Sequence, residues 1–172
     1  MDTQVHALLN DQINKELYSA YLYMSFADYY DEVGLAGYAN WYMIQAAEER
    51  DHALVIRNYL RANGQHITLD AIDAPDKTFN AYIDPLKAGL EHERYVTSLI
   101  NAIYAAADRD HDYRTLKFLD WFITEQGEEE ENAEDMVKQM ELFGGDAKSL
   151  YDLDQSYAAR AYSQAAPLVQ KA

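Results

Sequence analysis

Glu49 and His52, in "ERDH", stand three residues apart, a spacing that puts a carboxylate and an imidazole side by side on one face of a helix. Such a pair suits a hard-to-borderline cation. Further on, "TEQGEEEEN" (Thr124 to Asn132) puts five glutamates into the seven residues from Glu125 to Glu131. Neighbouring like charges oppose a helix, and an unpaired carboxylate in a core is expensive. The run is therefore either a solvated acidic face or a place that attracts cations. Two further carboxylates, Glu16 in "NKELYSAYLY" and Glu93 in "EHE", lie in amphipathic stretches. The chain has no Cys, which excludes disulfides, thiolate-held zinc and iron–sulfur clusters.

The charge balance narrows the partners. The formal net charge is −16, which makes nucleic acid and anionic membranes unfavourable. The N-terminal "MDTQVHALLN" has no basic stretch followed by an apolar one, and no apolar run approaches the roughly 18 residues of a membrane span. A cytoplasmic protein is expected. The 172 residues suffice for one domain with a sizeable core, taken as the whole chain.

Only 3 Pro and 7 Gly, with plentiful Ala, Leu, Glu and Tyr, favour long helices. The first is expected from about Asp2 to Val33, with Val5, Leu8, Leu9, Ile13, Leu17, Ala20, Met24 and Ala27 at three- and four-residue steps. Gly34 and Gly37 break the run. The second spans about Leu35 to Ala62, stopped by Asn63–Gly64. The third starts at Asp84–Pro85, read as an N-cap followed by proline in the first turn, and reaches about Asp108. The fourth runs from near Asp112 to just before "GGD", so the bundle covers about residues 2–143. A short fifth helix is expected over about 147–162, and the tail "SQAAPLVQKA", to residue 172, reads as weakly ordered.

Short turns make the first and second helices antiparallel, and likewise the third and fourth. The intervening segment, Gly64 to Ile83, can extend to about 60 Å, beyond the roughly 42 Å of the second helix. The third helix can then run parallel to the second. The fold class is an all-α four-helix bundle with one long crossover.

An internal repeat organises the acids. Glu16-Leu17-Tyr18 corresponds to Glu93-Arg94-Tyr95, and Glu48-Glu49-Arg50-Asp51-His52 to Glu125-Gln126-Gly127-Glu128-Glu129. Glu16, Glu49, His52, Glu93, Gln126 and Glu129 all lie near the middle of their helices, so inward-facing side chains meet at one height. Few inward Lys or Arg are available to pair with them, and bound cations would relieve the repulsion. Oxygen donors with one imidazole suit Fe²⁺/Fe³⁺ or Mn²⁺. One ion would take Glu16, Glu49 and His52. A second would take Glu49 and Glu93, with Glu129 and Gln126 weaker or more distant. Glu125, Gln126 and Glu129 share one arc of the fourth helix, while Glu130 and Glu131 are expected to face solvent or a partner. Met24 and Met43 are expected to pack in the core.

"NKELYSAYLY", "AEERDH" (Ala47 to His52), "EHE" (Glu91 to Glu93) and "WFITEQGEEE" (Trp121 to Glu130) together resemble the bacterial non-haem ferritins over nearly the whole chain. The resemblance implies a ferritin-like fold and a 24-mer hollow cage. It implies oxidation of Fe(II) by O2 or H2O2 and storage of the product as ferric mineral. It implies paired ferroxidase irons at Glu16, Glu49, His52, Glu93 and Gln126, with Glu129 nearby. A third, inner iron site would fall to Glu48, Glu125, Glu128 and Glu129. Tyr23, seven residues after Glu16, matches a tyrosine that hydrogen-bonds a ligand of the centre and supplies an electron. Haem is not expected. The haem-binding bacterioferritins carry Met where this chain has Arg50, and His where it has Glu129. A bacterioferritin, a non-storage di-iron oxidase or peroxidase, and a metal-free helical interaction protein are the rival readings.

Overall fold

The computed structural model describes residues 1–169. Its helices are α1 (Thr3–Glu32), α2 (Ala36–Ala62), α3 (Asp84–Arg109), α4 (Tyr113–Phe143), α5 (Ala147–Ala158) and α6 (Ala166–Val169). The four long helices lie within about two residues of the expected bounds. Asp2 accepts a hydrogen bond from the Gln4 amide at 2.7 Å and caps α1. Asp112 and Asp146 cap α4 and α5 through the amides of Thr115 and Ser149. The start of α3 differs from expectation. Ile83 stands at the cap, and the Asp84 carboxylate instead turns back to the amides of Asn80 and Ala81.

Gly34 and Gly64 take the left-handed φ values of 81° and 68° that let α1 turn into α2 and α2 leave for the crossover. The crossover follows α1 rung by rung. His6 Nε2 meets the His66 carbonyl, Asn10 brackets Thr68 through both its backbone groups, Asn14 Nδ2 donates to the Ala71 carbonyl, and Tyr30 donates to the Tyr82 carbonyl. The segment therefore travels from the start of α1 to its end, and α3 runs parallel to α2.

The apolar core is in two parts. Leu9, Ile13, Ile56, Leu60, Ile100 and Phe122 centre one. Phe26, Tyr30, Tyr38, Tyr42, Leu86 and Met140 centre the other. Between them α1 presents Glu16 and Ser19, α2 Glu49 and His52, α3 Glu93, and α4 Gln126 and Glu129. Two expectations about the core fail. Met24 and Met43 are 43% and 48% exposed. On α1 the buried line runs through Val5, Leu9, Gln12, Glu16, Ser19, Tyr23, Phe26 and Tyr30. Met24 lies about 100° around the helix from Tyr23.

The C-terminal region also differs. α5 stops at Ala158, and part of the segment expected to be weakly ordered forms the short helix α6 (Ala166–Val169). Ala165 and Leu168 pack on the first apolar cluster. The last three residues of that expected tail, 170–172, lie outside the described residues. α5 itself does structural service for α2. Leu35 offers α2 no side-chain cap. Instead Asp154 of α5, buried at 5% exposure, accepts the amides of Gly37 and Tyr38 at 2.8 and 3.1 Å. A Cβ at Gly37 would stand 1.7 Å from the Asp154 carbonyl oxygen, so only glycine permits the approach.

Asp154→Ala is expected to leave two helix-start amides unpaired and to destabilise the protein by about 1–2 kcal/mol. A lower midpoint in guanidinium unfolding, read by circular dichroism, checks this. An unchanged midpoint would show that the cap contributes nothing.

Candidate metal centre

Helix registry explains why the acids meet. Glu16, Glu49, Glu93 and Gln126 occupy the middle of α1, α2, α3 and α4, and Glu16, Glu49, His52, Glu93, Gln126 and Glu129 are all buried. Three overlapping groups have ligand atoms within 4.8 Å of one another: Glu16, Glu49 and His52; Glu49, Glu93 and Glu129; and His52, Glu125 and Glu129. Glu49 is common to the first two, and His52 and Glu129 carry the cluster on to Glu125.

Amides hold the carboxylates in place. Gln12 Nε2 donates to Glu16 Oε1 at 2.9 Å. Gln45 Nε2 donates to Glu129 Oε1 at 3.0 Å and to Glu49 Oε1 at 3.3 Å. Gln126 Nε2 donates to Glu93 Oε2 at 3.2 Å, and the Tyr23 hydroxyl donates to Glu93 Oε1. In this orientation Gln126 positions Glu93; a turn of its amide would present the oxygen instead. His52 Nδ1 is 3.6 Å from Glu49 Oε2, too long for a hydrogen bond. Trp121 stands edge-on to the His52 ring at 5.4 Å and fixes its plane.

These contacts do not satisfy the site. Glu16 Oε2, His52 Nδ1 and Glu129 Oε2 are buried with no hydrogen-bond partner, and Tyr38 OH is the one other such side-chain atom among the described residues. Orphaned polar atoms are rare in native cores, so three in one cluster need a reason. Their types, two carboxylate oxygens and an imidazole nitrogen, are the donors a hard-to-borderline cation takes. The residues present fit iron.

Electrostatics say the same. Burial pushes the carboxyls of Glu49 and Glu129 well above the ordinary range, and the charge of Glu93 adds to both. Burial also raises Glu16 and Glu93, opposed by His52 and by hydrogen bonds from Gln12, Tyr23 and Gln126. Burial alone would lower His52, yet Glu129, Glu16, Glu125 and Glu93 together raise it. Burial and the neighbouring Glu93 and Glu49 keep Tyr23 protonated, hence a donor.

The remaining candidates lie beside this cluster. A cavity of about 230 Å³ runs from Tyr23, Glu93 and Glu129 out to Glu48, Glu125 and Glu128. Glu48 and Glu125 are partly buried and Glu128 is exposed. Glu130 does not simply face outward: it accepts from Thr97 Oγ1 at 2.5 Å. His92 turns from the cluster to Ser19 Oγ at 2.7 Å, and burial lowers it to about 4, so it is neutral.

Residues 6–143 match the ferritin-like domain family. Bacterial non-heme ferritins of Staphylococcus epidermidis and Staphylococcus haemolyticus are each 37% identical to the chain. The first similarity covers 95% of this chain and 99% of that protein, the second 91% and 94%. The chain belongs to the bacterial non-haem ferritin family. Among solved structures, a closed form of the Archaeoglobus fulgidus ferritin made by site-directed mutagenesis superposes with a TM-score of 0.92 at 36% identity. That match covers 95% of this chain and 99% of the other. A humanized archaeal ferritin superposes at 0.93 with the same identity and coverage.

Sequence reasoning overlooked three residues of this ferritin site. Gln12 and Gln45 each precede a ligand-type glutamate by four residues, the spacing at which helical side chains touch, so a signal was present. Arg160 lines the same cavity from the far end of the chain, and nothing local marks it.

The shifted carboxyls set a pH dependence for the metal-free protein. Glu49 and Glu129 keep protons in the folded state above the ordinary 4.5, where the unfolded chain has released them. The folded state then binds more protons, so stability falls as pH rises. The raised His52 acts in the same direction. The unfolding midpoint of metal-free protein is expected to drop as pH rises above about 5, where the unfolded carboxyls are ionised, and to drop less in Glu129→Gln. Equal slopes in parent and variant would contradict the assigned burial of that charge.

Proposed function

We propose that the protein binds Fe(II) in pairs, oxidises it, and stores the product as ferric oxide-hydroxide mineral inside a homo-oligomeric cage. One observation carries the reading: Glu49 is shared by two buried three-ligand groups, so one carboxylate would lie between two ions. Iron is the substrate. One ion would take Glu16, Glu49 and His52, the other Glu49, Glu93 and Glu129. Gln126 and Tyr23 orient Glu93 through its two oxygens. Each Fe(II) gives up one electron. O2 takes two electrons and two protons to become H2O2, or H2O2 takes two of each to become two waters. The surplus of carboxylate favours the more highly charged Fe(III). Product would leave by way of Glu129, Glu125, Glu128 and Glu48, the inner site.

The names of the relatives support storage as the purpose. Oligomerisation is supported by the likeness to solved ferritins. A cage of the 24-mer type is the family expectation. No described helix is long and apolar enough to cross a membrane.

His52→Ala and Glu49→Ala are each expected to slow the first phase of Fe(II) oxidation by at least roughly tenfold, since even residues behind metal ligands commonly have effects of that size. Stopped-flow absorbance measures the rate, and electron microscopy checks for an assembled shell with a dense core. Parent rates in an assembled variant would defeat the reading. Arg50 stands where a haem-binding relative would need Met, so haem reconstitution should give no stoichiometric Soret band; a Met-ligated haem complex would contradict this.

A further inference from the structure

Beyond α5 the chain turns back and lies along α2. Asn40 Nδ2 donates to the Arg160 carbonyl at 3.1 Å. The Tyr162 hydroxyl donates to Asp51 Oδ2 at 2.5 Å, and the Ala165 amide reaches the same oxygen at 3.3 Å. Leu168 packs on the apolar cluster that contains Val55. The positions touched on α2 recur at helical spacing, so the segment follows one face.

Between these anchors Arg160 points inward. Its Nη2 is 2.5 Å from Glu48 Oε2, and its Nη1 is 3.1 Å from Gln45 Oε1 and 3.2 Å from the Trp41 carbonyl. Its guanidinium lies 3.9 Å from the centroid of the Trp41 ring. Gln45 hands the contact on, donating to Glu129 and Glu49. Among the described residues lining the cavity, Arg160 is the one cation, against five glutamates. Surface pairs such as Lys138 with Glu134 leave their charges open to water, 60% and 38% exposed. Here the two side chains are 20% and 21% exposed, so the pair is screened less.

We propose that Arg160 is a tethered counter-cation: it neutralises Glu48 and closes the inner acidic cluster while no metal is there, and an ion entering that cluster must displace it. This rests on the reading of Glu48, Glu125, Glu128 and Glu129 as an inner metal site. A guanidinium and a metal ion cannot share the Glu48 carboxylate without strong repulsion at such short range. Arg160 keeps a resting place over Trp41 once displaced, and a guanidinium is weakly hydrated, so the move is short. The anchors on Asp51 and Val55 hold the strap close, and it returns when the ion leaves. The effect is to keep the inner site weak, a place of passage. Arg160 is thus a positioning residue whose charge sets occupancy.

The test uses Tb³⁺, a redox-inert trivalent probe, titrated into metal-free assembled protein with luminescence and calorimetry. The inner ion is identified as the one lost when Glu125→Gln and Glu128→Gln are combined. Arg160→Gln should bind that ion at least roughly tenfold more tightly, since removing one unit charge a few ångströms away is an effect of that order even with substantial screening. Arg160→Lys should restore weak binding, because charge and not shape is the cause. Arg160→Met, which keeps an apolar stem over Trp41, replaces the glutamine variant should that fail to assemble. If the double variant loses no ion, the inner-site reading fails and the proposal with it. If it loses one ion, yet the uncharged variants bind with parent affinity, the inner site stands and Arg160 is only a clamp on the C-terminal segment.

Discussion

Glu16, Glu49, Glu93 and Glu129 meet on a single level inside a helix bundle, where lost hydration and mutual repulsion both oppose their ionisation. The apolar core is divided around them, and helix packing above and below holds them at a separation they would not choose. Donated hydrogen bonds from Gln12, Gln45, Gln126 and Tyr23 orient the oxygens without neutralising them. Two carboxylate oxygens and one imidazole nitrogen are left without partners. A site of this kind is stable because the rest of the bundle compensates for it, and it is receptive to cations for the same reason that it is strained without them.

The four helices do not contribute equally. α2 carries Glu49 and His52, and α2 is also the helix that the C-terminal region braces. Asp154 closes its first turn, Arg160 pairs with Glu48, and Tyr162 with the Ala165 amide holds Asp51. α4, the repeat partner of α2, receives one side-chain hydrogen bond from the described residues beyond 146, Tyr157 to Gln139, besides apolar packing. Where α2 offers His52, α4 offers Glu129, so the two sides differ in charge as well as support.

The helices and the candidate ligands were legible in the sequence because both depend on short-range spacing. The steps of three and four residues, the turn glycines and the length of the crossover define an all-α bundle before any contact is known. The repeat that lays Glu48–His52 on Glu125–Glu129 puts the acids at mid-helix, and helices of similar length bring them to one height. Sequence also marked Tyr23, because seven residues are nearly two full turns.

Tertiary structure decided what local spacing leaves free. Apolar Met24 and Met43 face outward because the buried arc of a long helix is set by its neighbours, and steps of four residues drift from the true 3.6. Asp154 became the cap of α2 across a gap of more than 110 residues, through a close approach only Gly37 allows. Residues 159–168 run along α2 through Asp51 and the apolar cluster, and so bring Arg160 to a cavity that five glutamates line. Composition and spacing located the negative charge; where its counter-charge would stand depended on a segment whose own sequence has too little periodicity to fix its path.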